Sequence, residues 1–324
     1  MAMTVHYLAH PLEESNYPEQ VLAIGYFDGV HIGHQSVIGS AIALAEKLSL
    51  PAGVMTFHPH PRAVLGKEGY TSYLTPLAEK LRQLERLGVN HVYVVSFTRD
   101  FAAVMPEEFI ESFLMRLRPK GVVVGFDYTF GHRAMGTVNT LRDHCRDRYI
   151  LQVVNPVTLE GEKVSSTLVR EMLHEGNTGR ACRLLGRPYR IQGEVVHGEH
   201  RGRTIGFPTA NLNMTEPYFL PKTGVYVVRA ECRGQSFYGV ANLGVKPTFH
   251  QDGVEPSIEV HLMDFSGDLY GEAMGLEFCH YLRPERKFPD AEALVRQIKE
   301  DVKQAEQWIQ SQAPAPACCF RGGK

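Results

Sequence analysis

The stretch Gly25-Tyr26-Phe27-Asp28-Gly29-Val30-His31-Ile32-Gly33-His34 follows an apolar, β-branched run, Val21 to Tyr26. It precedes Val37, Ile38, Ala41, Ile42, Ala45 and Leu48, which recur at helical spacing. Strand, glycine-containing turn and helix in that order make the first unit of an α/β sheet. The turn falls at the strand's C-terminal end, where open sheets of this kind hold their ligands. Gly29 and Gly33 let backbone approach phosphate oxygens closely, and the helix beginning near His34 offers unpaired N–H groups and a positive dipole end. His31 and His34, three residues apart, can face one phosphate. Two other readings compete: surface histidines or structural hydrogen bonders, and Zn²⁺ held by His31, His34, His58 and His60, an unusual structural set because it lacks a thiolate or carboxylate.

Working outward, the same alternation continues to about residue 155. Strands are expected at Gly53 to Phe57, His91 to Phe97, Gly121 to Phe126 and Tyr149 to Val154. Between them, Leu77, Leu81, Leu84 and Leu87 mark one helix, and Phe109, Ile110, Phe113, Leu114 and Leu117 another, with Pro106, Glu107 and Glu108 as its first turn. The pattern predicts a mostly parallel sheet. Thr56 to Pro61 and Gly125 to Gly131, the latter carrying Asp127, follow strands and so reach the same sheet edge as the histidines. Arg133 is either a phosphate contact or a solvated loop charge. Val164-Ser165-Ser166-Thr167-Leu168-Val169-Arg170 reads as a helix start with Ser165 or Ser166 as cap, and Arg170, about one turn further on, either reaches a triphosphate or is a surface charge on an ordinary capped helix.

From about Arg190 the texture changes. Gln192 to His197, Val225 to Cys232, Phe237 to Asn242, Ile258 to Asp264 and Gly275 to Leu282 are strand-like and separated by Gly and Pro, which suggests a small antiparallel barrel. Ala291, Leu294, Val295, Ile298, Val302, Ala305 and Ile309 give one closing helix with a single apolar face. Within the barrel, Gly193 to Gly198 leads into Gly202-Arg203-Thr204-Ile205-Gly206-Phe207-Pro208-Thr209-Ala210-Asn211. There glycines either form turns or shape a phosphate loop, and Thr209 and Asn211, on one face if extended, either bond locally or present oxygens to Mg²⁺. Glu259 is a candidate base for a substrate hydroxyl, or a carboxylate on the wet face of a strand.

Composition narrows the classes. The 324 residues carry 34 Lys and Arg against 36 Asp and Glu, a net charge of −2, so no basic excess is present to hold a nucleic acid. No apolar run reaches the ~18 residues that cross a bilayer, and Met1 to His10 has no signal-peptide pattern. These features lead us to expect a soluble, cytoplasmic protein, with no nucleic-acid or membrane partner. Six cysteines, at 145, 182, 232, 279, 318 and 319, form no C-x-x-C pair. The expected domains are 1–182 and 183–312, with a disordered tail over 313–324.

The ordered set Phe27 to His34, Gly125 to Gly131, Val164 to Arg170, Gly206 to Asn211 and Asp268-Leu269-Tyr270-Gly271 resembles the prokaryotic bifunctional riboflavin kinase/FAD synthetase family, over roughly residues 15 to 310. The resemblance implies a Rossmann-like α/β nucleotidyltransferase domain, then a six-stranded antiparallel riboflavin kinase barrel with a C-terminal helix. It implies riboflavin, FMN, FAD and ATP as substrates and products, with Mg²⁺. It assigns catalysis to His31, His34, Arg170 and Glu259, and Mg²⁺ to Thr209 and Asn211. It assigns ATP and flavin binding to Phe27, Asp28, Gly29, Gly33 and Asp127, to Ser165, Ser166 and Thr167, and to Gly193, Gly198, Arg203, Gly206 and Pro208. Leu282 to Lys287 matches a segment near the family's flavin site. Tyr26 and His58 depart from the family pattern, which commonly has Asn and Glu there, so neither is given a catalytic role. Two other readings use part of the sequence: an adenylyltransferase for another phosphate ester such as phosphopantetheine, and a non-catalytic flavin-binding regulator.

Overall fold

Strands that are apolar from end to end need cover on both faces, and the first part of the chain provides it. In this computed structural model, which describes residues 2–13, 15–66, 71–198, 206–247 and 254–312, the chain divides into two compact units, Met1–Ser166 and Thr167–Lys324. Arg203 and the 313–324 tail, with Cys318 and Cys319, lie outside the described residues.

The first unit contains β1 (Thr4–Leu8), β2 (Gln20–Ile24), β3 (Ala52–His58), β4 (His91–Ser96) and β5 (Pro119–Gly125). There follow a short ribbon, β6 (Thr129–Phe130) with β7 (Gly136–Thr137), then β8 (Ile150–Val154) and a hairpin, β9 (Thr158–Leu159) with β10 (Glu162–Lys163). Six of these form one parallel sheet in the order β1-β4-β3-β2-β5-β8. On one face Val21, Ala23, Val54 and Val92 pack with Val37, Ile38, Ala41 and Ala45 of the helix Ile32–Leu48. On the other, Leu22, Ile24, Met55 and Val122 pack with Phe109, Ile110, Phe113 and Leu117. The helix expected over those last residues is instead one turn, Pro106–Glu108, a π-helical stretch, Phe109–Leu114, and a 3₁₀ turn, Met115–Leu117. The widened turn accommodates Phe109, Ile110, Phe113 and Leu114, all of them buried.

β1 was not anticipated. Among the described residues it is an edge strand paired only to β4, and Tyr7 is 69% exposed, so its sequence lacks the continuous apolar run that marks its neighbours.

The second unit is a closed antiparallel barrel. Its strands are β11 (Tyr189–Val196), β12 (Ala210–Met214), β13 (Gly224–Cys232), β14 (Gln235–Pro247), β15 (Val254–Leu262) and β16 (Ala273–Arg283), in the order β11-β12-β15-β14-β13-β16. Tyr226 and Phe278, both fully buried, meet edge to face with ring centres 5.1 Å apart. Val225, Val227 and Val240, on the opposite face, pack with Ala305, Val302 and Trp308 of the helix Ala291–Ser311. That face is therefore the outside of the barrel. The division between units falls before the expected 182/183 boundary because both helices after the sheet, Ser166–Glu175 and Thr178–Leu185, go with the barrel unit: Lys222 N donates to the Leu173 carbonyl at 2.9 Å, and Thr178 Oγ1 donates to the Cys279 carbonyl at 3.1 Å.

Candidate active sites

In the sheet, the chain proceeds from β2 outward through β3 and β4 and then returns to the other side of β2 as β5. The switch point lies between β2 and β5, and there a parallel sheet leaves a crevice beyond its strand ends. Gly25 to His34 follows one of these strands and Asp127 the other.

The loop after β2 is tightly specified. Phe27, Gly29 and Val30 all have positive φ, 55°, 87° and 43°. Such a backbone is costly for Phe and Val and persists only where surroundings hold it. Asp28, 2% exposed, supplies part of that hold: its Oδ1 accepts from Thr75 N at 3.0 Å and its Oδ2 from Leu74 N at 3.3 Å. Gly29 N donates to Thr75 Oγ1 at 2.8 Å, and Ser166 Oγ donates to the Asp28 carbonyl at 2.8 Å. Phe27 is buried, its ring edge-on to His34 at 5.3 Å. Asp28 and Phe27 thus shape the loop from beneath.

The helix starts at Ile32, so His31 is its N-cap, and His31 Nδ1 accepts from His34 N at 3.2 Å. A ring nitrogen that accepts carries no proton, which puts the proton of neutral His31 on Nε2, the atom facing away from the cap. The two imidazoles stack with centres 3.5 Å apart and planes within 19°. A Cβ on Gly33 would lie 3.1 Å from His31 Cε1, so any larger residue would press on that ring. His58 lies near Tyr73 (6.2 Å between ring centres) and His60 against Tyr26 (4.0 Å). Among the described residues no group of three or more His, Cys, Asp or Glu is arranged to hold a metal.

Asp127 reaches the expected edge, where Lys163 Nζ lies 2.6 Å from its Oδ2 and 4.5 Å from the centre of the Phe126 ring. Both partners are half exposed, so this pair is weak and readily opened. The helix after β10 begins at Ser166. Thr167 and Arg170 belong to the second unit, where the Arg170 guanidinium lies 5.7 Å from the Phe219 ring centre.

On the barrel, β12 was hidden in the stretch read as a phosphate loop. Asn211 on β12 is directly opposite Glu259 on β15, and Glu259 is directly opposite Asn242 on β14. Residues opposed in this way share a face with Cβ atoms about 4.5–5.5 Å apart. Asn242 is in turn opposite Val225, which packs on the C-terminal helix, so the row Asn211–Glu259–Asn242 lies on the barrel's outer surface. Asn242 Nδ2 donates to Glu285 Oε1 at 3.3 Å.

Gly198 touches Asn211: a Cβ there would overlap the Asn211 amide and lie 2.5 Å from its Cγ. Gly206, with φ +83°, sits in open space, and the Pro208 carbonyl accepts from His261 Nδ1 at 2.9 Å, which ties the loop before Thr209 to β15. Gly193 is three register steps from Asn211, with its bare α-carbon against Asn213, and serves strand packing. Glu285 lies in the Leu282 to Lys287 segment that the resemblance places near the flavin site, just after β16. Sequence reasoning missed roles for Asn242 and His261, whose only signal was the alternation of β14 and β15.

A parallel sheet with a histidine-bearing glycine loop at its switch point, followed by a closed barrel with a carboxylate flanked by amides on its surface, is the architecture of two-domain, nucleotide-dependent transferases. The family model described as FAD synthetase matches residues 13–168, and that described as riboflavin kinase matches residues 185–309. Curated relatives named bifunctional riboflavin kinase/FMN adenylyltransferase include one from Bacillus subtilis, 44% identical over 93% of this chain and 96% of the relative. Another, from Escherichia coli K12, is 37% identical over 94% of this chain and 98% of the relative. The chain belongs to the bifunctional riboflavin kinase/FMN adenylyltransferase family. A crystal structure from Streptococcus pneumoniae named as a macrolide-efflux protein superposes with a TM-score of 0.88 at 35% identity, over 94% of this chain and all of that one. Among the described residues no helix is long and apolar enough to cross a membrane.

Proposed function

We propose that the barrel unit transfers the γ-phosphoryl group of ATP to the 5′-hydroxyl of riboflavin, giving FMN and ADP. The sheet unit then joins FMN to the adenylyl group of a second ATP, giving FAD and pyrophosphate. The observation that carries this assignment is the direct opposition of Asn211 and Glu259 on neighbouring strands. It sets a carboxylate beside an amide at the spacing a hydroxyl and a phosphate need.

In the barrel, Glu259 accepts the proton of the attacking hydroxyl, whose oxygen forms the new bond to phosphorus as the bond to ADP breaks. Thr209 and Asn211 offer hard neutral oxygens beside one carboxylate. This set fits Mg²⁺, which takes one or two carboxylates and completes its shell with water and substrate phosphate. When bound, the ion supplies neutralisation of phosphate charge. Gly198 and Gly206 give the loops room, and Pro208 is anchored through His261.

In the sheet unit, a phosphate oxygen of FMN attacks the α-phosphorus of ATP and pyrophosphate leaves. His31 Nε2–H and the N–H groups of the helix start donate to oxygens on which charge develops. His34 stacks on His31 and holds its ring plane, Gly29 and Gly33 keep the approach open, and Ser165 is assigned to the phosphates. Both reactions need ATP, so we place the enzyme in the cytoplasm.

The test uses the full chain with riboflavin, Mg²⁺ and ATP labelled at the α- or γ-phosphate. The γ label is expected in both FMN and FAD, and the α label in FAD only. His31→Ala with His34→Ala should abolish FAD formation and leave FMN formation intact. Asn211→Ala or Glu259→Gln should do the reverse when FMN is supplied. Loss of both activities in a folded variant of either kind overturns the assignment.

A further inference from the structure

Lys80 lies on the helix Leu77–Arg86 and is 2% exposed. Its Nζ donates to the Tyr26 carbonyl at 2.7 Å and to Thr56 Oγ1 at 3.3 Å, and it lies 4.1 Å from the Tyr26 ring centre. Thr56 Oγ1 donates to that same carbonyl at 2.9 Å. Tyr26 immediately precedes Phe27, Gly29 and Val30, the three left-handed residues that turn the chain toward His31. Burying an ammonium costs several kcal/mol of desolvation, which its bonds to neutral oxygens and the Asp28 carboxylate offset in part. A methionine of similar length would fill the space without that cost, and without a charge to aim at the Tyr26 carbonyl.

We infer that Lys80 is a positioning residue for adenylyl transfer: its ammonium fixes the carbonyl at which the loop bearing His31 and His34 departs from the sheet. The inference rests on that loop being the adenylyl-transfer site. The carboxylate of Asp28, on the same loop, favours the charged form of Lys80, although burial is the larger influence and brings its pKa down to about 8. Among the described residues, the other titratable groups around it are His58, at the end of β3, whose pKa is lowered by burial and by the Lys80 charge, His60, which packs on Tyr26, and the Tyr26 phenol. At neutral pH the lysine is mostly charged, and between pH 7 and 9 it loses that charge. The carbonyl is then left with the Thr56 hydroxyl and a weaker amine donor.

The experiment compares Lys80→Met and Lys80→Arg with the unaltered full chain, reading FMN adenylylation, riboflavin phosphorylation and thermal unfolding together. Lys80→Met should lower kcat for adenylylation by roughly tenfold to a hundredfold, the loss that follows a reacting group moved by about 1 Å. Riboflavin phosphorylation should be unchanged, and the melting temperature unchanged or raised. Adenylylation by the unaltered chain, relative to its own phosphorylation rate, should fall as pH rises through 8, and Lys80→Arg should flatten that fall. Wild-type adenylylation by Lys80→Met overturns the inference. So does a lowered melting temperature with both activities falling in parallel, the signature of a purely structural lysine. If Lys80→Arg does not fold, Lys80→Met decides alone. The His31 and His34 variants keep the site itself under separate test: if they retain adenylylation, the assignment of the site fails, whatever Lys80 does.

Discussion

Replacing Gly198 by alanine tests the barrel site through a single methyl group. No positive φ demands glycine at 198, so the backbone accepts alanine and the cost comes from what the methyl meets. It meets Asn211, whose Cγ lies 2.5 Å from the new Cβ, about 1 Å inside an ordinary carbon–carbon contact of ~3.5 Å. The Asn211 amide must therefore move by about 1 Å or turn to another rotamer, and it moves relative to Glu259 across the strand pair. Overpacking of this kind costs on the order of 1–3 kcal/mol of stability, and a 1 Å displacement of a reacting group costs about a hundredfold in rate. The expected result is a roughly hundredfold drop in kcat for riboflavin phosphorylation, with FMN adenylylation within twofold of the unaltered chain, the margin set by a stability cost that leaves the protein folded. Trp308 is the chain's one tryptophan and packs against the barrel, so its fluorescence reports whether the barrel is folded during the assay. The decisive comparison adds Gly198→Ala to Asn211→Ala. With the amide gone the methyl has nothing to displace, so the second substitution should cost almost nothing further. Additive losses in the double variant, or unchanged phosphorylation in Gly198→Ala alone, would refute the claim that Gly198 acts by seating Asn211.

Two further outcomes concern stability. The C-terminal helix is tied to β16 by Asp301, whose carboxylate takes Arg283 Nη2 at 2.6 Å and Nε at 2.8 Å and also accepts from Gln297 at 2.7 Å, with Asp301 only 2% exposed. Asp301→Ala leaves the Arg283 charge uncompensated and should destabilise the barrel by about 3–5 kcal/mol, read as an earlier urea midpoint of Trp308 fluorescence. At the far edge of the sheet, His6 stacks on Tyr93 and its Nε2 lies 3.4 Å from His91 Nδ1, with Tyr17 also against the ring. Burial lowers the pKa of both histidines, and the charge of His6 lowers that of His91 further. The folded state then binds fewer protons than the unfolded chain, so this contribution is complete above about pH 6.5 and is lost as pH falls through the folded values. Far-UV circular dichroism in urea at pH 7.5 and pH 5 should show a midpoint drop that His6→Gln with His91→Gln flattens; an unflattened drop would assign the acid sensitivity elsewhere.

The sheet and its first loop were legible because both faces of the strands are covered, and a strand covered on both faces is apolar along its whole length. β1 and β12 escaped for the converse reason. One is an edge with a solvent-facing tyrosine, and the other alternates polar and apolar residues over a span also rich in loop-forming types. Lys80 did leave a signal: it stands three residues after Leu77 and four before Leu84, on the apolar stripe of its helix, where a charge is out of place. A residue that breaks a local rule in this way is where function is to be sought.

Among the residues the resemblance singles out, several are buried beneath or against the others rather than at a surface. Phe27 and Asp28 are buried beneath their loop, Gly33 leaves room for the His31 ring, and Gly198 leaves room for Asn211. Substitution of such supporting residues displaces a reacting group without removing it. Their variants should therefore lower kcat with the chemical groups intact, and the loss should vanish once the supported side chain is gone. Loss of the supported residue itself, His31 or Asn211, has no such dependence. That difference in coupling, measured by double-variant cycles within each unit, is what distinguishes a group that reacts from a group that aims it.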